Sequence, residues 1–149
     1  NILDNGAIYG KLYNWFAIKL LQMDIDYYNA NNPATPWGWR VPTQADFNTL
    51  ATTLGGASVA GGKICINADS NYSFNSFGKN SSGFSLINAG YRDHTNGVFT
   101  NGGSPLATIT EVNESYVYDS YVWGNTNSFA LSELISRKRG FPLRLIKST

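Results

Sequence analysis

Apolar and polar positions alternate most regularly between Gly38 and Gly56. Phe47, Leu50, Ala51 and Leu54 follow the spacing i, i+3, i+4, i+7, which gives a helix one apolar face. Thr43 stands at the N-cap, where its hydroxyl can accept a hydrogen bond from an N–H of the first turn. Asp46, three residues on, approximates a capping box and complements the helix dipole. Pro42 ends the strand-like run before the helix, and Gly55-Gly56 supplies a left-handed stop after it. Phe47, Leu50 and Leu54 are expected in a core under a sheet, with Trp39 packing alongside.

An earlier helix is expected around Leu12–Leu20, with Leu12, Trp15, Phe16 and Lys19 on one stripe and Trp15 and Phe16 as core aromatics. Asp4-Asn5-Gly6 reads as a tight turn, and Asp24 to Pro36, rich in Asn, Asp, Tyr and Pro, as a loop. That loop lacks the spacing, central glycine and terminal glutamate of a calcium-binding EF-hand, so its carboxylates are assigned to turn chemistry. Ser58 to Lys63 lacks the spacing of a phosphate loop and reads as a turn entering a strand. Tyr72, Phe74 and Phe77 are expected to anchor a long polar loop. Short strands follow at Gly83–Ile87 and Gly90–Arg92, then a hairpin turn at Asp93–Gly97 before Val98-Phe99. Further strands are expected at Ala107–Val112, Ser115–Trp123 and Gly140–Ile146, where Pro142 requires an edge or a bulge. The order is α+β: two N-terminal helices packed on a twisted antiparallel sheet with long loops.

Composition removes several functions. The 149 residues suit a single domain spanning 1–149. Lys+Arg number 11 against 10 Asp+Glu, which excludes a broad basic face for nucleic acid. Arg137-Lys138-Arg139 is the one basic cluster and reads as a solvated turn. No apolar run is long enough for membrane insertion. The chain has no initiator methionine and is expected to be part of a longer one. Cys65, alone and set between Ile64 and Ile66, can form no intrachain disulfide and reads as a buried small hydrophobe. Asp93 and His94 are adjacent in a turn, and nothing places Glu111 and Glu114 at glycosidase spacing, so no catalytic constellation is expected. The expectation is no enzyme, no cofactor and no metal.

The most suggestive recognition surface is Asn113 to Asn127. On a strand, Tyr116, Tyr118, Ser120 and Val122 share one face, and Val117, Asp119, Tyr121 and Trp123 the other. Tyr and Trp give large contact areas at low entropic cost, while Asn and Ser adapt their hydrogen bonds. The candidate ligand-binding residues are Tyr116, Tyr118, Asp119, Tyr121, Trp123, Asn125 and Asn127. The plainer alternative makes one face core and the other ordinary polar surface.

Several segments together resemble the Fibrobacter succinogenes major paralogous domain family. They are Tyr9 to Ala17, Gly38-Trp39-Arg40-Val41-Pro42-Thr43, Gly55-Gly56 with Val59 to Lys63, Ser82-Gly83-Phe84, Gly90-Tyr91-Arg92, Asn96 to Phe99, and Lys138 to Arg144. The resemblance implies a C-type-lectin-like fold, which hosts many binding roles. Relatives often carry cysteines where this chain has Thr35 and Leu145, and their joint absence fits assembly in a reducing cytoplasm. A bacteriophage virion protein meets that condition. The tryptophan-rich segment of relatives is not evident near Leu106–Glu111, and the calcium-lectin triplets are missing. Gly140-Phe141-Pro142-Leu143-Arg144 is also similar to the ending of variable proteins diversified by retroelements.

The expected function is therefore non-catalytic binding or display. The partner is a cell-surface glycan or protein receptor, and the place a virion surface or, alternatively, a bacterial cell surface. The competing expectation is a capsid-decorating or fibre domain packing on neighbouring virion subunits, homo-oligomeric through its parent chain.

Overall fold

A computed structural model describes residues 7–68, 75–100, 103–124 and 126–148. Its centre is a three-stranded antiparallel sheet in the order β5 (Gly103–Glu111), β6 (Tyr116–Trp123), β7 (Ala130–Ser136). Both faces of this sheet are covered. On one, Leu106, Val122 and Phe129 pack with Phe47, Ala51, Ala60, Ile64, Cys65 and Leu86. On the other, Ala107, Val117 and Ile135 pack with Trp15, Ile18, Val41 and Phe141. A sheet buried on both faces has no polar side to alternate with, so the interior of β6 reads as buried from Asp119 to Val122.

Helix α1 spans Trp15–Asn31 and α2 spans Gln44–Thr53. In α2 the expected capping box forms: Thr43 accepts from the Asp46 N–H while the Asp46 carboxylate accepts from the Thr43 N–H. Phe47 is core, edge-on to Phe129 at 5.9 Å. Leu50 and Leu54 are only half-buried against that cluster, and Ala51 takes the deep position. Trp39, expected beside them, is exposed.

Helix α1 corrects the sequence reading at both ends. Leu12 and Tyr13 form strand β1 instead of a first turn, pairing with Pro142 and Phe141 of β8 (Phe141–Pro142). Asn14 is the N-cap, accepting from Ala17 N–H at 3.0 Å. The helix then continues to Asn31 through the stretch expected to be a loop. Tertiary contacts override the weak propensity of Asn, Asp and Tyr there. Ile25 is buried, Gln22 accepts the Val41 N–H at 2.7 Å, and Asn29 accepts the Trp37 N–H at 2.8 Å. Trp15 faces the core as expected, whereas Phe16 faces outward.

The expected turn at Ser58–Lys63 is instead a helix, α3 (Ala57–Ile64). Its glycines answer to a close neighbour and not to a turn. A Cβ on Gly61 would lie 2.4 Å from the Ser128 carbonyl oxygen, and one on Gly62 would lie 2.2 Å from Asn127 Oδ1. Below it, Asn75 is buried and donates to the Thr126 carbonyl at 2.6 Å. Asn75, and not the exposed Phe77, is the described anchor of that loop. Tyr72, Phe74 and the Asp4–Gly6 turn lie outside the described residues.

The remaining strands are two-residue ribbons. β3 (Tyr91–Arg92) and β4 (Phe99–Thr100) flank the expected hairpin turn, with Gly97 at φ 72°. β2 (Trp39–Arg40) pairs with β9 (Ile146–Lys147), and β1 with β8, so Pro142 sits in a two-stranded ribbon where its missing N–H is tolerated. Of Gly83–Ile87, Leu86 alone makes a bridge, to Cys65. The sequence pattern does not predict β7. Ser132, at φ 62°, is an extra residue in the ladder, so Leu131 and Leu134 share a face at a spacing of three. The architecture is α+β with small antiparallel sheets.

Candidate functional site

The β5–β6 connection, the turn after β7 and the first turn of α1 converge at one end of the central sheet. Asn113 Oδ1 accepts the N–H groups of Ser115 and Tyr116 at 2.9 and 3.0 Å, which fixes the reversal and projects Tyr116 outward. The buried Trp15 ring carries the neighbouring cations: Arg137 lies 4.2 Å from its centroid and Lys19 4.8 Å. Glu111 accepts from both, at 2.8 Å from Arg137. Hydrogen bonding from Lys19, then from Arg137, holds the Glu111 carboxyl below its ordinary range. Arg139 stacks 4.5 Å from the Tyr91 ring and reaches Asp93 at 3.4 Å. Asp93 is held low chiefly by the Thr95 hydroxyl and N–H.

These pairings leave a cleft of about 410 Å³. Phe16, Tyr116 and Leu134 supply exposed apolar walls, and His94, Glu114 and Lys138 supply charge and hydrogen-bonding capacity. Ser115, Ser136, Arg137 and Arg139 also line it, so polar and basic groups outnumber apolar ones and the cleft is a hydrogen-bonding site with an apolar wall. Of the residues expected from sequence, Tyr116 alone lines it. Phe16, expected in the core, is exposed. Leu134 lies on the strand whose alternation the Ser132 bulge disguises, and nothing local to the sequence brings His94 beside Tyr116.

The other candidate residues are placed apart from it. Tyr118 is half-buried. Asp119 and Tyr121, expected on a ligand-facing surface, are buried in the middle of the sheet, because the α1 side of β6 is core and not solvent. Asp119 lies opposite Ala107 on one side and Glu133 on the other. Neither of its carboxylate oxygens has a hydrogen-bond partner among the described residues. Desolvation, with repulsion from Glu133 and against attraction from Arg139, pushes this carboxyl up to about 7. Burial likewise pushes the Tyr121 phenol up to about 12.

Trp123 is exposed at the far end of β6, its ring 4.4 Å from that of Tyr121. Asn127 is exposed beyond it, its carbonyl accepting from Gly62 N–H at 3.3 Å. Asn125 lies outside the described residues. The eight residues of β6 separate Tyr116 from Trp123 by roughly 23 Å, so one small ligand does not touch both.

Cys65 is fully buried, and desolvation pushes its thiol up to about 12, leaving it inert at neutral pH. No group of three or more His, Cys, Asp or Glu side chains that could hold a metal ion occurs among the described residues. Nor does any helix among them have the length and apolarity to cross a membrane.

Fold and site define a small α+β domain with a cleft at one end of its central sheet, where exposed aromatic and aliphatic side chains meet a larger set of polar and basic ones. The chain belongs to the Fibrobacter succinogenes major domain family, whose model matches residues 1–147. No curated protein and no solved structure matches it.

Proposed function

We propose that this chain is a non-catalytic binding domain of C-type-lectin-like architecture, displayed on a bacteriophage particle or a bacterial surface to recognise a glycan or a protein. The observation that carries the reading is the cleft beside Tyr116. Its exposed phenyl, phenol and isobutyl groups offer a platform for a sugar ring or an apolar side chain, and His94, Lys138 and Glu114 fix orientation at the rim. The buried, inert Cys65 and the exposed turn position of His94 give no support to a nucleophile paired with a base.

The test is binding of the purified chain to a glycan array and to cell-surface protein panels, repeated with Tyr116→Ala and Lys138→Ala. The reading expects a ligand whose affinity falls at least about tenfold in Tyr116→Ala while the circular dichroism spectrum is unchanged. A folded protein silent on both panels transfers the reading to a structural domain that packs on neighbouring subunits.

A further inference from the structure

Helix α1 is apolar on two opposite sides. Trp15, Ile18 and Ile25 point into the core. On the reverse side Phe16, Leu20, Met23 and Tyr27 are 51, 59, 57 and 74% exposed. At 100° per residue these four fall within roughly 60° of one another, centred nearly opposite Ile18 and Ile25. Their spacing of four, three and four is the d-a-d-a pattern of a coiled-coil seam, which a helix burying only one face does not need. Such a seam fits the ridges of another helix crossing at about 20°.

We infer that α1 pairs in antiparallel fashion with α1 of a second copy of this chain. The seam is self-complementary in that orientation. Phe16 meets the second copy's Tyr27, Leu20 meets its Met23, and the two-fold axis repeats both layers. The flanking charges fit as well. Lys19 and Asp26 occupy the same flank of the seam seven residues apart, and antiparallel pairing sets each Lys19 opposite Asp26 of the other copy. On the other flank Asp24 faces Ala17, so no like charges meet. Lys19 retains the exposure this needs, its side chain being 45% accessible while it bonds Glu111. Opposed helix dipoles favour the same orientation. The pairing concerns the outer face of α1 and does not depend on what the cleft binds, although Phe16 borders both.

Sedimentation velocity of the chain from about 1 to 200 µM tests this. A monomer–dimer equilibrium in the micromolar range is expected, since the seam is only two heptads long. Leu20→Lys and Met23→Lys, both outside the cleft, should remain monomeric throughout while keeping the parent's helical circular dichroism and, at concentrations where the parent is monomeric, its melting temperature. Asp26→Lys, which sets lysines against lysines, should weaken association roughly tenfold, and Asp24→Lys should leave it within about twofold. A parent chain that stays monomeric, or a dimer indifferent to Leu20→Lys and Met23→Lys, would overturn the inference. Weakening by Asp24→Lys with none by Asp26→Lys would overturn the antiparallel arrangement.

Discussion

Arg40 grips Asp46 through two parallel hydrogen bonds, Nη1 to Oδ2 and Nη2 to Oδ1, each 2.7 Å. The same carboxylate accepts from the Thr43 N–H and hydroxyl, both at 2.7 Å. One side chain therefore closes the helix cap and ties β2 to α2.

Asp46→Ala should lower the unfolding free energy by about 1–3 kcal/mol in urea titrations, combining a lost cap with a lost bidentate pair. Hydrogen bonding from Arg40 above all, and then from Thr43, holds the Asp46 carboxyl far below the usual carboxylate range. Its contribution is present above the unfolded-state value near 4 and is lost as pH falls below it. The stability gap between the parent and Asp46→Asn should therefore narrow steadily below about pH 4.

Asp119 works in the opposite direction. Its folded-state carboxyl titrates near 7 and its unfolded one near 4, so the folded chain holds the extra proton between those values. The stability associated with that proton is complete below about pH 4 and is lost as pH rises through 7. Asp119→Asn should raise the melting temperature at pH 8 and leave it nearly unchanged at pH 4. The gain at pH 8 is up to about 4 kcal/mol. A flat difference across that range in calorimetry would count against an ionisable, unpaired Asp119.

Gly61→Ala sets helix propensity against packing. Alanine favours a helix interior by about 1 kcal/mol, yet its Cβ would press on the backbone oxygens of Ser128 and Asn127 at 2.4 and 2.7 Å. Backbone cannot retreat as a flexible side chain can, so a net loss of about 1–3 kcal/mol is expected in chemical denaturation.

Cys65 reports on the core. With its thiol pushed up to about 12 and no exposure, it should resist a thiol reagent at pH 8 in the native protein and react within minutes in guanidinium chloride. Native labelling as fast as that of the denatured chain would remove Cys65 from the cluster around Phe47 and Ile64.

The parts of this fold legible in the sequence are those whose causes are local. Thr43, Asp46 and Phe47 carry a cap, a box and a face within five residues, and Asn96-Gly97 carries its own turn. The illegible parts have causes far along the chain. The helix runs on through Asp24 to Asn31 with Ile25 packed in the core and Val41 hydrogen-bonded back to Gln22, neither of which the local composition announces. Gly61 and Gly62 stand in a helix, despite their low propensity for one, because residues 127–128 cross it too closely to leave room for a Cβ. The candidate site shows the same division. Tyr116 is one of several candidates that alternation distributes over both faces of β6, and the burial of Asp119 and Tyr121 depends on segments distant in sequence, Tyr91 and Arg139 among them.

The two ribbons joining early and late segments have a kinetic consequence. Leu12 and Tyr13 find their partners at Pro142 and Phe141, and Trp39 and Arg40 find theirs at Lys147 and Ile146. Contacts this distant raise the contact order and delay closure, because loop entropy is lost before they form. During synthesis α2 and α3 can dock early, while β1 and β2 wait for β8 and β9 to leave the ribosome. Removing residues 141–147 should leave a collapsed, incompletely closed chain.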